Sequence, residues 1–169
     1  VWKSAEAFRW FLGDMNEYWQ TPEGRRLRAA READEAGLQS WLADQPGVVL
    51  YDHGDAPEQW RGEVDGHNFA FRERDTEWII EIDLHPSGQS MRVVDGPNAD
   101  GTNSRRQDEI IEGAIIATGT TSAAGYGANP RERAAFIVTT IRDHLRRKRV
   151  DEIGMLVAER SAELNHRLA

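Results

Sequence analysis

The sequence predicts an α+β fold: N-terminal helices, a central antiparallel β-meander of about four strands, and C-terminal helices packed on its apolar face. Three observations carry this. Apolar residues recur at helical intervals over residues 5–20, alternate with polar ones over residues 68–85, and return to helical spacing after Pro130. The 169 residues fit one domain, since one core typically serves about 100–200 residues. Residues 1–46 read as helical, 47–104 as acidic and β-rich, and 105–169 as mostly helical.

Phe8, Phe11, Leu12, Met15, Tyr18 and Trp19 share one face of the first helix. Thr21 can cap a second helix, and Pro22 suits its first turn, where a missing N–H costs nothing. That helix is expected to run to about Ala36 and stop at Gly37. A short helical piece at Ser40–Ala43 brings Trp41 and Leu42, and Gln45-Pro46-Gly47 ends it.

Val48–Tyr51 reads as a short strand. Asn68–Arg74 and Glu77–His85 alternate around a two-residue turn at Asp75-Thr76, which sets Phe71 opposite Ile80 and Phe69 opposite Ile82. The link Pro86–Gln89 is then expected to fold the chain back, with Leu84 opposite Met91, Ile82 opposite Val93 and Asp83 opposite Arg92. Asp95–Asn103 is a turn-rich loop. In 105–119 the β-branched content favours a strand, but Ile110 and Ile111 would face opposite ways. The spacing of Ile110, Ile111, Ala114, Ile115 and Thr118 therefore reads as a helix, capped by Ser104 and Gln107 and stopped by Gly119.

Asn129-Pro130-Arg131-Glu132 reads as cap, first-turn proline and capping-box glutamate. Ala134, Ile137, Ile141 and Leu145 form the stripe of the helix it opens. Val150, Ile153, Val157 and Leu164 keep helical spacing, and a bend near Arg149–Asp151 stays an open question at this level.

With no cysteine, the chain has no disulfide, thiolate zinc site, Fe–S cluster or thiol nucleophile. No run approaches the ~18 apolar residues of a membrane span. Val1–Glu6 lacks the basic-then-apolar pattern of a secretory leader, so the cytoplasm is expected. Lysine occurs only at Lys3 and Lys148, an arginine bias expected of a GC-rich bacterial genome.

The net charge of −8 is unevenly spread. Residues 1–46 carry −2, residues 47–104 carry −8, and residues 105–169 carry +2. The acidic middle would repel a phosphate backbone, which makes a nucleic-acid partner unlikely.

His53, His67 and His85 each neighbour an aspartate, and with Asp83 they could offer imidazole and carboxylate to a transition metal. Surface histidines beside turn aspartates are the plainer reading, because no established ligand spacing is matched. Glu81, Asp83, Arg72 and Arg92 read as an ion-pair ladder on one sheet face. The loop before the last helix could present Gly125, Gly127 and Asn129 to an anion. It lacks the P-loop lysine, and Asn129 already serves as a cap. No cofactor is expected, and no G-x-S-x-G elbow is present.

Arg146, Arg147, Lys148 and Arg149, with Arg142 upstream, form the one concentrated basic run. It suits a helix C-terminus or an acidic partner, including the acidic block of a second copy. Trp10 falls off the face of Phe8, Phe11, Met15 and Trp19 and, with Tyr18 nearby, gives the first helix too much aromatic surface for one face; exposed aromatic patches mark interfaces. The function expected is thus a non-enzymatic cytoplasmic interaction domain that self-associates through Trp10, Tyr18 and Arg142–Arg149. Two alternatives stand beside it. One is a small enzyme or ligand-binding protein with a pocket lined by Phe69, Phe71, Trp78, Ile80 and Met91. The other is a nucleic-acid-associated factor using the Arg142–Arg149 run.

Overall fold

A computed structural model of the protein describes residues 17–55, 58–97 and 103–168. The chain runs α1 (Pro22–Ala43), β1 (Val48–Asp55), β2 (Glu58–Val64), β3 (His67–Arg74), β4 (Glu77–Pro97), β5 (Asn103–Thr120) and α2 (Pro130–Leu168). The five strands form one antiparallel sheet in sequence order, one strand more than the sequence suggested. Residues 17–20 are helical, while the rest of the first expected helix, Trp10 included, lies outside the described residues.

Thr21 opens α1 as expected. Its hydroxyl accepts the Gly24 N–H at 3.0 Å and donates to the Tyr18 carbonyl at 2.7 Å. Gly37 does not stop the helix; α1 continues through Ala43 and absorbs the piece at 40–43. Leu38 is wholly buried, and Trp41 and Leu42 pack against the core. Burying a leucine contributes about 1.5–3 kcal/mol, more than the ~1 kcal/mol cost of a mid-helix glycine.

The hairpin of β3 and β4 has the expected register, with Phe69 opposite Ile82 and Phe71 opposite Ile80. Asp75 and Thr76 both take positive φ, 52° and 73°, the twist that two-residue hairpins favour. Asp65 and Gly66 do the same between β2 and β3, at 51° and 87°. Strand β2, which the sequence reading left out, pairs Trp60 with Phe71 and Val64 with His67.

Two expectations fail together beyond His85. The chain does not fold back at Pro86–Gln89. Strand β4 runs on, so Met91 lies opposite Asp108, Arg92 opposite Gln107 and Val93 opposite Arg106. Residues 105–119 are consequently strand, not helix, and Ser104 and Gln107 cap nothing; Gln107 instead donates to the Ser90 hydroxyl at 2.7 Å. The register shifts at Ile80/Glu81, Ile82/His85 and Pro86/Ser90 break the period-2 alternation that would have announced the pair.

The core lies between one sheet face and the helices. Trp60, Val64, Phe69, Phe71, Trp78, Ile80 and Ile82 meet Leu38 of α1 and Ala134, Ile137, Val138 and Ile141 of α2. Asn129 caps α2 by accepting the Glu132 N–H at 2.9 Å. The Glu132 carboxylate reaches back one residue further than a standard capping box, to the Ala128 N–H at 2.8 Å. Helix α2 is continuous over 39 residues, which closes the question of a bend near Arg149. No helix among the described residues is long and apolar enough to cross a membrane.

Candidate functional site

Helix α2 has two halves with different surroundings. Ala134, Ile137, Val138 and Ile141 are buried, and Leu145 packs against their cluster. From Arg146 to Arg167 every residue is exposed. This second half still carries large apolar side chains, among them Ile153 at 54%, Val157 at 60% and Leu164 at 56% exposure.

The helical angle explains the change. At ~100° per residue, Val150, Ile153, Val157 and Leu164 form a stripe centred roughly 140° around the helix from that of Ala134, Ile137, Ile141 and Leu145. The core side, carried onward, holds Glu152, Glu159 and Glu163 together with Met155 and Leu156, all exposed. The second stripe is therefore not the core stripe prolonged. Arg149, Arg160 and Arg167 line one of its edges, and the small residues Gly154, Ala158 and Ser161 line the other.

The sheet face away from the helices is apolar in part. Val48 and Leu50 pack on the core, so Val49 points to the opposite side, where it is exposed. Ile115 sits opposite Glu81 on that side, also exposed. Tyr51 falls at the register shift between Leu50 and Asp52. Where the β4–β5 ribbon bends, Leu84 and Ile111 approach Tyr51, Ala70 and Arg61 around a concavity of about 320 Å³. Glu81, buried on the face away from α1 and α2, pairs with Arg72. Arg61 makes no ion pair or hydrogen bond with the described residues.

A buried charged cluster joins the connector after β5 to the sheet. The Arg133 guanidinium pairs with Glu58 and lies 3.5 Å from Glu73. Its other nitrogens donate to the carbonyls of Tyr126 and Gly127, both at 2.8 Å. Glu58 also accepts the Trp60 indole N–H at 2.8 Å, and the Tyr126 hydroxyl donates to Glu73. Burial, then the hydrogen bond to Glu73, pushes the Tyr126 phenol far above its ordinary value. Burial likewise raises the Glu58 carboxyl. Two carboxylates of different environment can divide acid and base work. Here, however, each is already committed, and no buried side-chain polar atom among the described residues lacks a partner. The cluster holds the Tyr126 connector and the first turn of α2 against β2 and β3.

This cluster went unnoticed in the sequence, although a signal exists. Glu73 continues the inward alternation of Phe69 and Phe71, Glu58 that of Trp60 and Val64, and Arg133 stands four residues before Ile137. Three charges at inward positions were the clue.

The residues singled out from sequence are dispersed. His53 stacks on Trp60 at 4.9 Å between centroids, and its Nε2 lies 3.1 Å from Glu35. His67 Nδ1 meets the Asp83 carboxylate at 2.6 Å, with Asp83 at positive φ. His85 Nδ1 is 3.1 Å from the Asp83 main-chain oxygen. Among the described residues no three His, Asp or Glu side chains gather as metal ligands. Gly125 and Gly127 have positive φ, but the Gly127 carbonyl and the Asn129 side chain are occupied by Arg133 and Glu132. Phe69, Phe71, Trp78 and Ile80 are core, whereas Met91 stands exposed on the ribbon.

Arg142 is a clamp between α2 and the loops beside it. It donates to Asp65 at 3.1 Å, to the Pro46 carbonyl at 2.7 Å and to Gln45 at 3.2 Å. Arg146 pairs with Asp143 at 3.0 Å. Arg147, Lys148 and Arg149 are exposed and engage none of the described residues. Tyr18 is half-buried, edge-on to Trp19 at 5.4 Å. Compared with family models, curated proteins and solved structures, the chain matches none of them.

Proposed function

We propose that this chain is a protein-interaction module that associates with itself through the second half of α2. The observation that supports it is the exposed stripe of Val150, Ile153, Val157 and Leu164, turned away from the protein's own core stripe. Helices in proteins draw most of their stability from packing an apolar face, and the apolar side of this half is exposed among the described residues. The cytoplasm is where we place its action. The nucleic-acid alternative is weakened by Arg142, whose donors are spent on Asp65, Pro46 and Gln45.

Light scattering of the full chain, measured from low to high micromolar concentration, tests the reading. The wild type should be a dimer or larger. Ile153→Asp with Val157→Asp should be a monomer with an unchanged circular dichroism spectrum, because both side chains face solvent. A wild type that stays monomeric throughout would refute it.

A further inference from the structure

Strand β5 is the last of the sheet, and among the described residues nothing pairs with its outer edge. We infer that β5 of one copy pairs there, antiparallel, with β5 of a second copy about a two-fold axis at Gln107, joining two five-stranded sheets into one. The contact adds to the one proposed for α2 and rests on it, since α2 brings the copies together.

The order of charges along this strand is self-complementary. Residues 105–109 read Arg-Arg-Gln-Asp-Glu, and they pair with Ser90–Val94 of β4 without a shift. Turned antiparallel on itself about Gln107, the segment sets Arg105 opposite Glu109 and Arg106 opposite Asp108, twice each. Every such pair brings opposite charges to about 5 Å between Cβ atoms. The axis of an antiparallel pair stands perpendicular to the sheet, so each residue meets one on its own face, and the axis must pass through a residue pair. Moving it one residue either way sets Arg106 against Arg106 or Asp108 against Asp108. Gln107 is the position that avoids both.

Within the chain these charges lack equivalent partners. Across the ladder Arg105 faces Val94 and Glu109 faces Ser90. Four residues apart on one strand, the two stand about 13 Å from each other, too far to pair. Both are exposed, and neither engages any described residue. Arg106 does pair with Asp108 of its own strand, at 2.8 Å, and in the joined sheet the two copies of this pair form a square of alternating charge. Charges on an edge ordinarily keep other strands away; in this order they admit a second β5. Residues 1–16 hold only Lys3 and Arg9 as bases, so that segment lacks the two adjacent cations that Asp108 and Glu109 would face.

Exposed ion pairs and one short ladder are weak, so a single edge does not hold two lone chains. Copies joined by α2 present two such edges, and assembly then continues past the dimer. Sedimentation velocity on the full chain reads the species, and circular dichroism confirms folding. At low salt the wild type should pass from dimer to a larger species as concentration rises. Salt at about 1 M should return it to the dimer, because screening weakens the ion pairs and spares the apolar contact. Arg105→Glu and Glu109→Arg each set like charges opposite one another, and each should raise the dissociation constant of the larger species about tenfold or more. The double variant Arg105→Glu/Glu109→Arg restores opposite charges and should regain that species, as should an equimolar mixture of the two single variants. The edge contact is wrong, although association through α2 stands, if the single variants assemble like the wild type, if the double variant fails as they do, or if the wild type stops at the dimer. A monomeric wild type would overturn both.

Discussion

Arg133 lies over the Tyr126 ring, 3.3 Å from its centroid, and donates from Nε to the carbonyl of the same residue at 2.8 Å. One side chain thus holds both the ring and the backbone of the connector. It also pairs with Glu58 of β2 and lies 3.5 Å from Glu73 of β3. Arg133→Met should remove that charge and leave Glu58 and Glu73 facing each other. Breaking a buried ion pair from one side costs about 3–5 kcal/mol. Urea unfolding should show a loss of that size; a loss below about 1 kcal/mol would mean that the cluster adds little to the fold.

Glu58 gives the cluster a pH dependence. Burial is the largest effect and raises its carboxyl; the Trp60 hydrogen bond and the Arg133 charge lower it, the neighbouring Glu73 raises it again, and the net shift is upward. The folded chain therefore holds this proton more tightly than the unfolded chain does. Its contribution to stability is full below the usual carboxylate value and is lost as pH rises through the folded value. Glu58→Gln removes the titration. Between about pH 4 and about pH 7, melting temperatures should move in the variant's favour relative to wild type. Parallel curves would contradict the assignment.

The extension of α1 past Gly37 is testable through its two leucines. Leu38 is fully buried, and Leu27 is 44% exposed on the same helix. Leu38→Ala should cost about 2–5 kcal/mol. Leu27→Ala should stay near 0.5 kcal/mol or below, as surface changes roughly do. Equal effects in chemical denaturation would mean that the end of α1 does not dock as described.

Thr76 occupies a left-handed conformation, φ 73°, that a β-branched residue adopts at a cost of about 1–2 kcal/mol. Thr76→Gly relieves it, against roughly 0.5–1 kcal/mol of added unfolded-chain freedom. A net gain of about 0.5–1 kcal/mol should raise the melting temperature. The Thr121 N–H that donates to the Thr76 carbonyl at 2.9 Å keeps its partner.

What could be read from sequence was whatever rested on one period or one local signal. The pairing of Phe69 and Phe71 with Ile82 and Ile80 followed from alternation around a two-residue turn. The Asn129 cap followed from side-chain chemistry within four residues. The β4–β5 ribbon escaped because its bulges interrupt alternation, and because Pro86 and Gly88 looked like a turn. The β-branched content of 105–119 was the sounder signal there. Strand β2 escaped because Gly62 interrupts the apolar series of Trp60 and Val64. The cluster of Glu58, Glu73, Tyr126 and Arg133 joins four distant segments, and only their inward phase hinted at it.

The absence of any break in α2 between Leu145 and Val150 makes the helix a rigid shaft. Angle and distance at one end are set by packing at the other. One residue inserted among Arg146–Arg149 would turn the outer stripe by about 100° and advance it about 1.5 Å, while leaving every core contact in place. The spacing between the two stripes is thus under as strict a constraint as their composition. Whatever assembly the outer half enters, its orientation relative to the sheet is written in the number of residues that separate them.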